Sequence, residues 1–124
     1  MIFWREVVKV SIYHNPRCSK SRQTLALLEA QGINPDIVEY LKDVPNEKTI
    51  SHLLDLLGLE PRDLMRKNED EYKALKLNDE SLSRQALIKA MSENAKLIER
   101  PIVVVDDKRA AIGRPPESVL DLFK

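Results

Sequence analysis

The spacing of apolar and polar positions divides the chain into three stretches. "VVKVSIY" (Val7–Tyr13) is dense in β-branched residues and predicts a strand. Asn15-Pro16 interrupts it, and "SKSRQTLALLEAQG" follows with Leu25 and Leu28 at helical spacing and Gly32 as a stop. "PDIVEYL" (Pro35–Leu41) predicts a second strand, so the chain opens with a β-α-β unit. A helical block comes next, over about 46–94. There Asn46 caps a helix carrying Ile50, Leu53, Leu54 and Leu57 that ends near Gly58. Pro61 opens a short helix through "RDLMRK", and "DEYKALKL" and "SRQALIKAMSEN" supply two more. "RPIVVVDD" returns to strand, and Asp106, Asp107 and Lys108 turn toward a short "RAAI" strand. "PPESVLDLF" closes the pattern as a helix with proline in its first turn.

Composition narrows the class. The 124 residues suit one α/β domain, residues 1–124, and 43% hydrophobic with 32% charged residues is the balance of a globular chain. Lys plus Arg and Asp plus Glu both number 20, so there is no basic excess of the kind that nucleic acid or a membrane surface selects. No apolar run approaches the ~20 residues of a membrane span. "MIFWREVVKV" carries Arg5, Glu6 and Lys9 and lacks the apolar centre of a signal peptide. A lone cysteine cannot close an internal disulfide, so a reducing, cytoplasmic setting is expected.

That cysteine is the chemical signal. Cys18 lies in "IYHNPRCSKSR" with His14, Arg17, Lys20 and Arg22 around it, where a strand hands over to a helix. A cysteine that only fills space gains nothing from such neighbours, whereas a reactive thiolate is stabilised by cations and by a helix N-terminus. Other chemistries fit poorly. Cys18 and the separated His14 and His52 do not have the spacing of a zinc site, so no metal is expected. With Gly32, Gly58 and Gly113 as the only glycines there is no glycine-rich phosphate loop. A Cys-x5-Arg loop would need arginine where Thr24 stands, and a Cys-x-x-Cys dithiol would need cysteine where Ser21 stands. A monothiol nucleophile without an internal resolving partner remains.

Four motifs then carry a family resemblance: "IYHNPRCSKSR", "LMRKN", "LIERPIVV" and "IGRPPE". Together, and in this order from about Ile12 to Leu122, they resemble the glutaredoxin- and glutathione-dependent arsenate reductases. The resemblance implies a thioredoxin/glutaredoxin-like mixed four-stranded sheet (βαβ … ββα) with an inserted helical block. It implies Cys18 as nucleophile, Arg66, Arg100 and Arg114 as ligands of the arsenate oxyanion, and His14 and Ser21 beside the thiol. It also implies glutathione as reducing co-substrate, glutaredoxin as partner, no bound cofactor, and a monomer. Guanidinium forks suit the oxygens of a small, highly charged oxyanion better than ammonium groups do. In such folds a cis proline faces the cysteine, which predicts that Arg100–Pro101 is cis and close to Cys18.

Several roles stay open at this level. His14 either tunes the thiol or supports the loop, and Ser21 either donates to the thiolate or caps the helix. Lys20 and Arg22 read as solvated helix charges, His52 as structural, and Arg66 as an ordinary helical charge but for the resemblance. Residues 1–6, with Trp4, are read as lying outside the ordered fold. The same scaffold also serves a regulator that binds RNA polymerase, or a general monothiol oxidoreductase. These are the alternatives to arsenate reduction.

Overall fold

The computed structural model describes residues 9–123; Val7, Val8 and the N-terminal residues 1–6 read as unordered lie outside the described residues. The chain divides into two compact units: the residues up to Asp43 together with those from Arg100 onward, and Val44–Glu99.

The first unit holds a mixed four-stranded sheet in the order β2-β1-β3-β4. β1 (Val10–Tyr13) pairs in parallel with β2 (Asp36–Val38) and antiparallel with β3 (Ile102–Val105), which pairs antiparallel with β4 (Arg109–Ile112). All four β3 residues are buried, as the run Ile-Val-Val-Val predicts for a central strand. Val103 and Val105 join Val10, Ile12, Leu28, Ile33, Val119 and Leu122 in one apolar cluster. Between β3 and β4, Asp106 and Asp107 both take positive φ, the pair that a tight hairpin turn requires.

α1 (Ser19–Ala30) links β1 to β2. It ends as its glycine predicts: Gly32 takes φ 78°, the Ile33 N–H reaches the Leu28 carbonyl and the Gly32 N–H the Glu29 carbonyl. Two elements differ from expectation. β2 stops at Val38 rather than Leu41, because the Glu39 carbonyl accepts the N–H groups of Lys42 and Asp43 and turns the chain. The closing segment Pro116–Phe123 is a 3-10 helix, begun by the Ser118 N–H on the Pro115 carbonyl.

The second unit is helical. α2 (Glu47–Leu57) starts at Asn46, whose Oδ1 accepts the Thr49 N–H at 2.9 Å, and ends at Gly58 with φ 66°. Its buried Ile50, Leu53 and Leu54 form one stripe and pack toward α4 (Arg84–Glu93), which buries Leu87, Ile88, Ala90 and Met91. α3 (Asp70–Ala74) is shorter than its sequence suggests, since Lys76 takes φ 55° and breaks it. The "RDLMRK" helix is only a 3-10 turn over Pro61–Leu64; Met65 then bridges to Ile98, so Arg66 is not a helical residue.

Candidate active site

The loop from β1 to α1 is tied down residue by residue. The His14 N–H continues the parallel pairing onto the Val38 carbonyl at 2.8 Å. Asn15 does most of the remaining work. Its Oδ1 accepts the Arg17 N–H at 3.0 Å, its carbonyl accepts the Cys18 N–H at 3.0 Å, and its own N–H donates to Ser21 Oγ at 3.3 Å. Arg22 Nη1 donates to the Pro16 carbonyl at 2.9 Å. Ser21 therefore serves as an acceptor that holds the loop, and Arg22 is a loop tether rather than a free surface charge. Asn15-Pro16 signalled the loop in sequence, but which helix side chains would reach back depended on its path.

This loop delivers Cys18 as the N-cap of α1, 9% exposed. No side chain caps α1 and its first turn carries no acid, so the positive end of the helix dipole faces the thiol without internal compensation. Such an end is suited to an anion.

β4 brings the matching cation. Arg114 Nη2 lies 3.7 Å from Cys18 Sγ, and Nε of the same guanidinium donates to the Arg100 carbonyl at 2.9 Å. The Arg100–Pro101 peptide is cis, as predicted, and this guanidinium joins its carbonyl side to the cysteine. Arg114–Pro115 is a second cis bond, for which the sequence carries no separate signal. Arg100 itself is 9% exposed, a nearly buried cation.

Two further residues hold this geometry. The Gly113 N–H donates to the Pro101 carbonyl at 2.9 Å, and a Cβ at position 113 would sit 2.5 Å from Thr24 Oγ1 and 2.8 Å from Pro101 Cγ. Thr24 is fully buried, and its hydroxyl is turned to the Lys20 carbonyl at 2.8 Å. Only a residue without a side chain lets the segment bearing Arg114 close onto α1. The signal was present in part, as a glycine directly before Arg-Pro-Pro; Thr24, as its partner, carried none.

His14 is 6% exposed, and its Nδ1 has no hydrogen-bond partner among the described residues. Burial pushes its pKa below the ordinary 6.5; Glu39 opposes that shift and Arg22 adds to it. The imidazole is thus held toward its neutral form. Arg66 belongs to the second unit. Its N–H donates to the Leu97 carbonyl at 2.7 Å, and its guanidinium pairs with Glu69 at 3.2 Å and Glu99 at 3.9 Å. Among the described residues no three His, Cys, Asp or Glu side chains are grouped to hold a metal.

A thioredoxin-like sheet with a single thiol at the N-terminus of α1 and an arginine from the hairpin side over it defines a class of monothiol proteins. Residues 13–122 match the ArsC family, and the chain belongs to it. It is 56% identical over 115 residues to the uncharacterized protein YfgD of Escherichia coli K12, covering 92% of this chain and 96% of that one. It is 49% identical over 117 residues to an arsenate reductase of Haemophilus influenzae, covering 94% of this chain and all of that one. Among solved structures, an arsenate reductase from Vibrio cholerae superposes with a TM-score of 0.89 at 53% identity, over 93% of this chain and 98% of its own.

Proposed function

We propose that the protein reduces arsenate to arsenite, with Cys18 as nucleophile and glutathione and glutaredoxin as reductants. The observation that supports this most directly is the Arg114 guanidinium set 3.7 Å from Cys18 Sγ at an uncapped helix N-terminus. It can neutralise charge on the oxygens of an oxyanion held beside the sulfur. Relatives named arsenate reductase, similar along nearly the full chain, point the same way.

In the proposed sequence the Cys18 thiolate attacks arsenic(V), an S–As bond forms and a hydroxide leaves as water after protonation. A glutathione thiolate then attacks the Cys18 sulfur. An S–S bond forms, and the S–As electron pair passes to arsenic, which departs as arsenic(III) in arsenite. The two sulfurs lose the two electrons that arsenic gains. Glutaredoxin attacks the glutathione sulfur of the mixed disulfide and frees Cys18. Since Cys18 is the only cysteine, every resolving thiol must come from outside the chain.

Within this reading Arg100 and Arg114 bind the oxyanion, and the resemblance assigns Arg66 to the same anion. Pro101 and Ser21 support the site, and neutral His14 supports the loop without adding charge. The protein works as a monomer without a bound cofactor, in a reducing cytoplasm that can regenerate Cys18.

A coupled assay with arsenate, glutathione and glutaredoxin tests the proposal. Turnover is expected from the wild type and none from Cys18→Ser, whose hydroxyl is far too weakly acidic to replace the thiolate. Reduction of a simple mixed disulfide without arsenate turnover would assign a general monothiol oxidoreductase instead. Arsenate-independent binding to RNA polymerase would assign the regulator.

A further inference from the structure

Beside the Cys18 loop lies a groove of about 240 Å³ that the chemistry above does not use. One wall is the loop itself, with His14, Pro16 and Arg17; the other is the turn after β2, with Glu39, Leu41 and Lys42. Both walls are built rather than loose. Asn15 Oδ1 holds the Arg17 N–H, and the Glu39 carbonyl holds those of Lys42 and Asp43. The lining combines apolar surface from Pro16 and Leu41 with two cations and one carboxylate. Lys42 Nζ and Glu39 Oε1 are 3.8 Å apart at the rim, whereas the Arg17 guanidinium has no ion pair among the described residues. Leu41 is 41% exposed and Ile37, on the edge strand β2, 51%.

The charge pattern selects the occupant. A thiol peptide such as glutathione carries two carboxylates and one ammonium, the complement of Arg17, Lys42 and Glu39. Reach agrees as well. Arg17 directly precedes Cys18 in the loop, so a three-residue peptide, about 10 Å long when extended, held at Arg17 lies beside the residue that carries the thiol. Resting on the function proposed above, we infer that this groove binds glutathione. Arg17 and Lys42 take its carboxylates, Glu39 its ammonium, and Pro16 and Leu41 its apolar backbone. Arg17 is then a ligand of the second substrate, not an accessory to the thiol.

The test uses S-methylglutathione, which binds as glutathione does but cannot attack sulfur. Titrated into the ¹⁵N-labelled full chain, it should shift the amide signals of Arg17, Glu39, Leu41 and Lys42 and spare those of α4. Arg17→Glu and Lys42→Glu should each abolish these shifts. In the coupled assay each should raise KM for glutathione about tenfold or more, the loss of roughly one charge-assisted contact, with a much smaller change in KM for arsenate. Shifts confined to other residues, or wild-type KM for glutathione in both variants, would overturn the groove assignment. A wild type that binds the probe here yet turns over no arsenate would uphold the groove and sink the proposed reaction. The two failures are therefore separable.

Discussion

Arg114 directs two donors to different ends, Nε to the Arg100 carbonyl and Nη2 to Cys18 Sγ. Its removal should therefore act on chemistry more than on folding. Arg114→Ala is expected to lower arsenate turnover about a hundredfold or more, as loss of a charge-stabilising donor does elsewhere, and to slow alkylation of Cys18 by iodoacetamide. Arg114→Lys should recover only part of either, because the charge returns without the fork. Gly113 offers a contrast in which no functional group is lost. In Gly113→Ala the new Cβ meets Thr24 and the Pro101 ring, both buried and stiff, so overpacking should cost about 1–3 kcal/mol in a denaturant melt. Turnover should fall as well, since Arg114 is the next residue. His14 sets a pH dependence. Burial lowers its pKa from 6.5, so the unfolded chain binds the proton more readily than the fold. Its contribution is complete above pH 6.5 and is lost as pH falls below that value toward the folded pKa. Melts between pH 7 and 5 should show this loss, and His14→Asn should flatten it.

At the scale of elements, the loop–α1 junction and the α2 helix show two ways of starting a helix. α2 begins with a satisfied cap, the Asn46 side chain on the Thr49 N–H at 2.9 Å, and carries Glu47 in its first turn. α1 has neither, and its N-terminus faces a thiol instead. The first arrangement stabilises the helix on its own account; the second leaves dipole and N–H groups available to an anion. Asn46→Ala should accordingly cost about 1 kcal/mol in thermal or denaturant melts. Alkylation of Cys18 should proceed in that variant as in the wild type.

For the molecule as a whole, the governing fact is one cysteine in 124 residues. The family match runs from residue 13 to 122 and so spans both compact units, yet the thiol chemistry can begin at a single atom. Exposure to arsenate and glutathione with glutaredoxin omitted should add one glutathione to the intact mass, and peptide mapping should place it on Cys18. No adduct should form on Cys18→Ser. An unmodified wild type under those conditions would contradict the proposed order of thiols. Among the described residues no helix is long and apolar enough to cross a membrane.

The order of elements was legible in the sequence because each carries a local signal: β-branched runs for the strands, Asn46, Gly32 and Gly58 for helix ends, paired aspartates for the hairpin. Cys18 was legible for the same reason, as a thiol at a strand-to-helix junction among cations. The shortened β2 and α3, and the 3-10 form of the last segment, were not, since backbone hydrogen bonds a few residues away decided them. The site's geometry was least legible of all. Nothing local says that Arg114 reaches a sulfur 96 positions earlier, that Gly113 must be bare to clear Thr24, or that Arg22 and Ser21 reach back to hold the loop. The sequence by itself determined which groups can do chemistry and which segments become strands and helices. Only the tertiary structure decided which of those groups meet, because contacts between residues distant in sequence depend on the packing of the sheet against its helices.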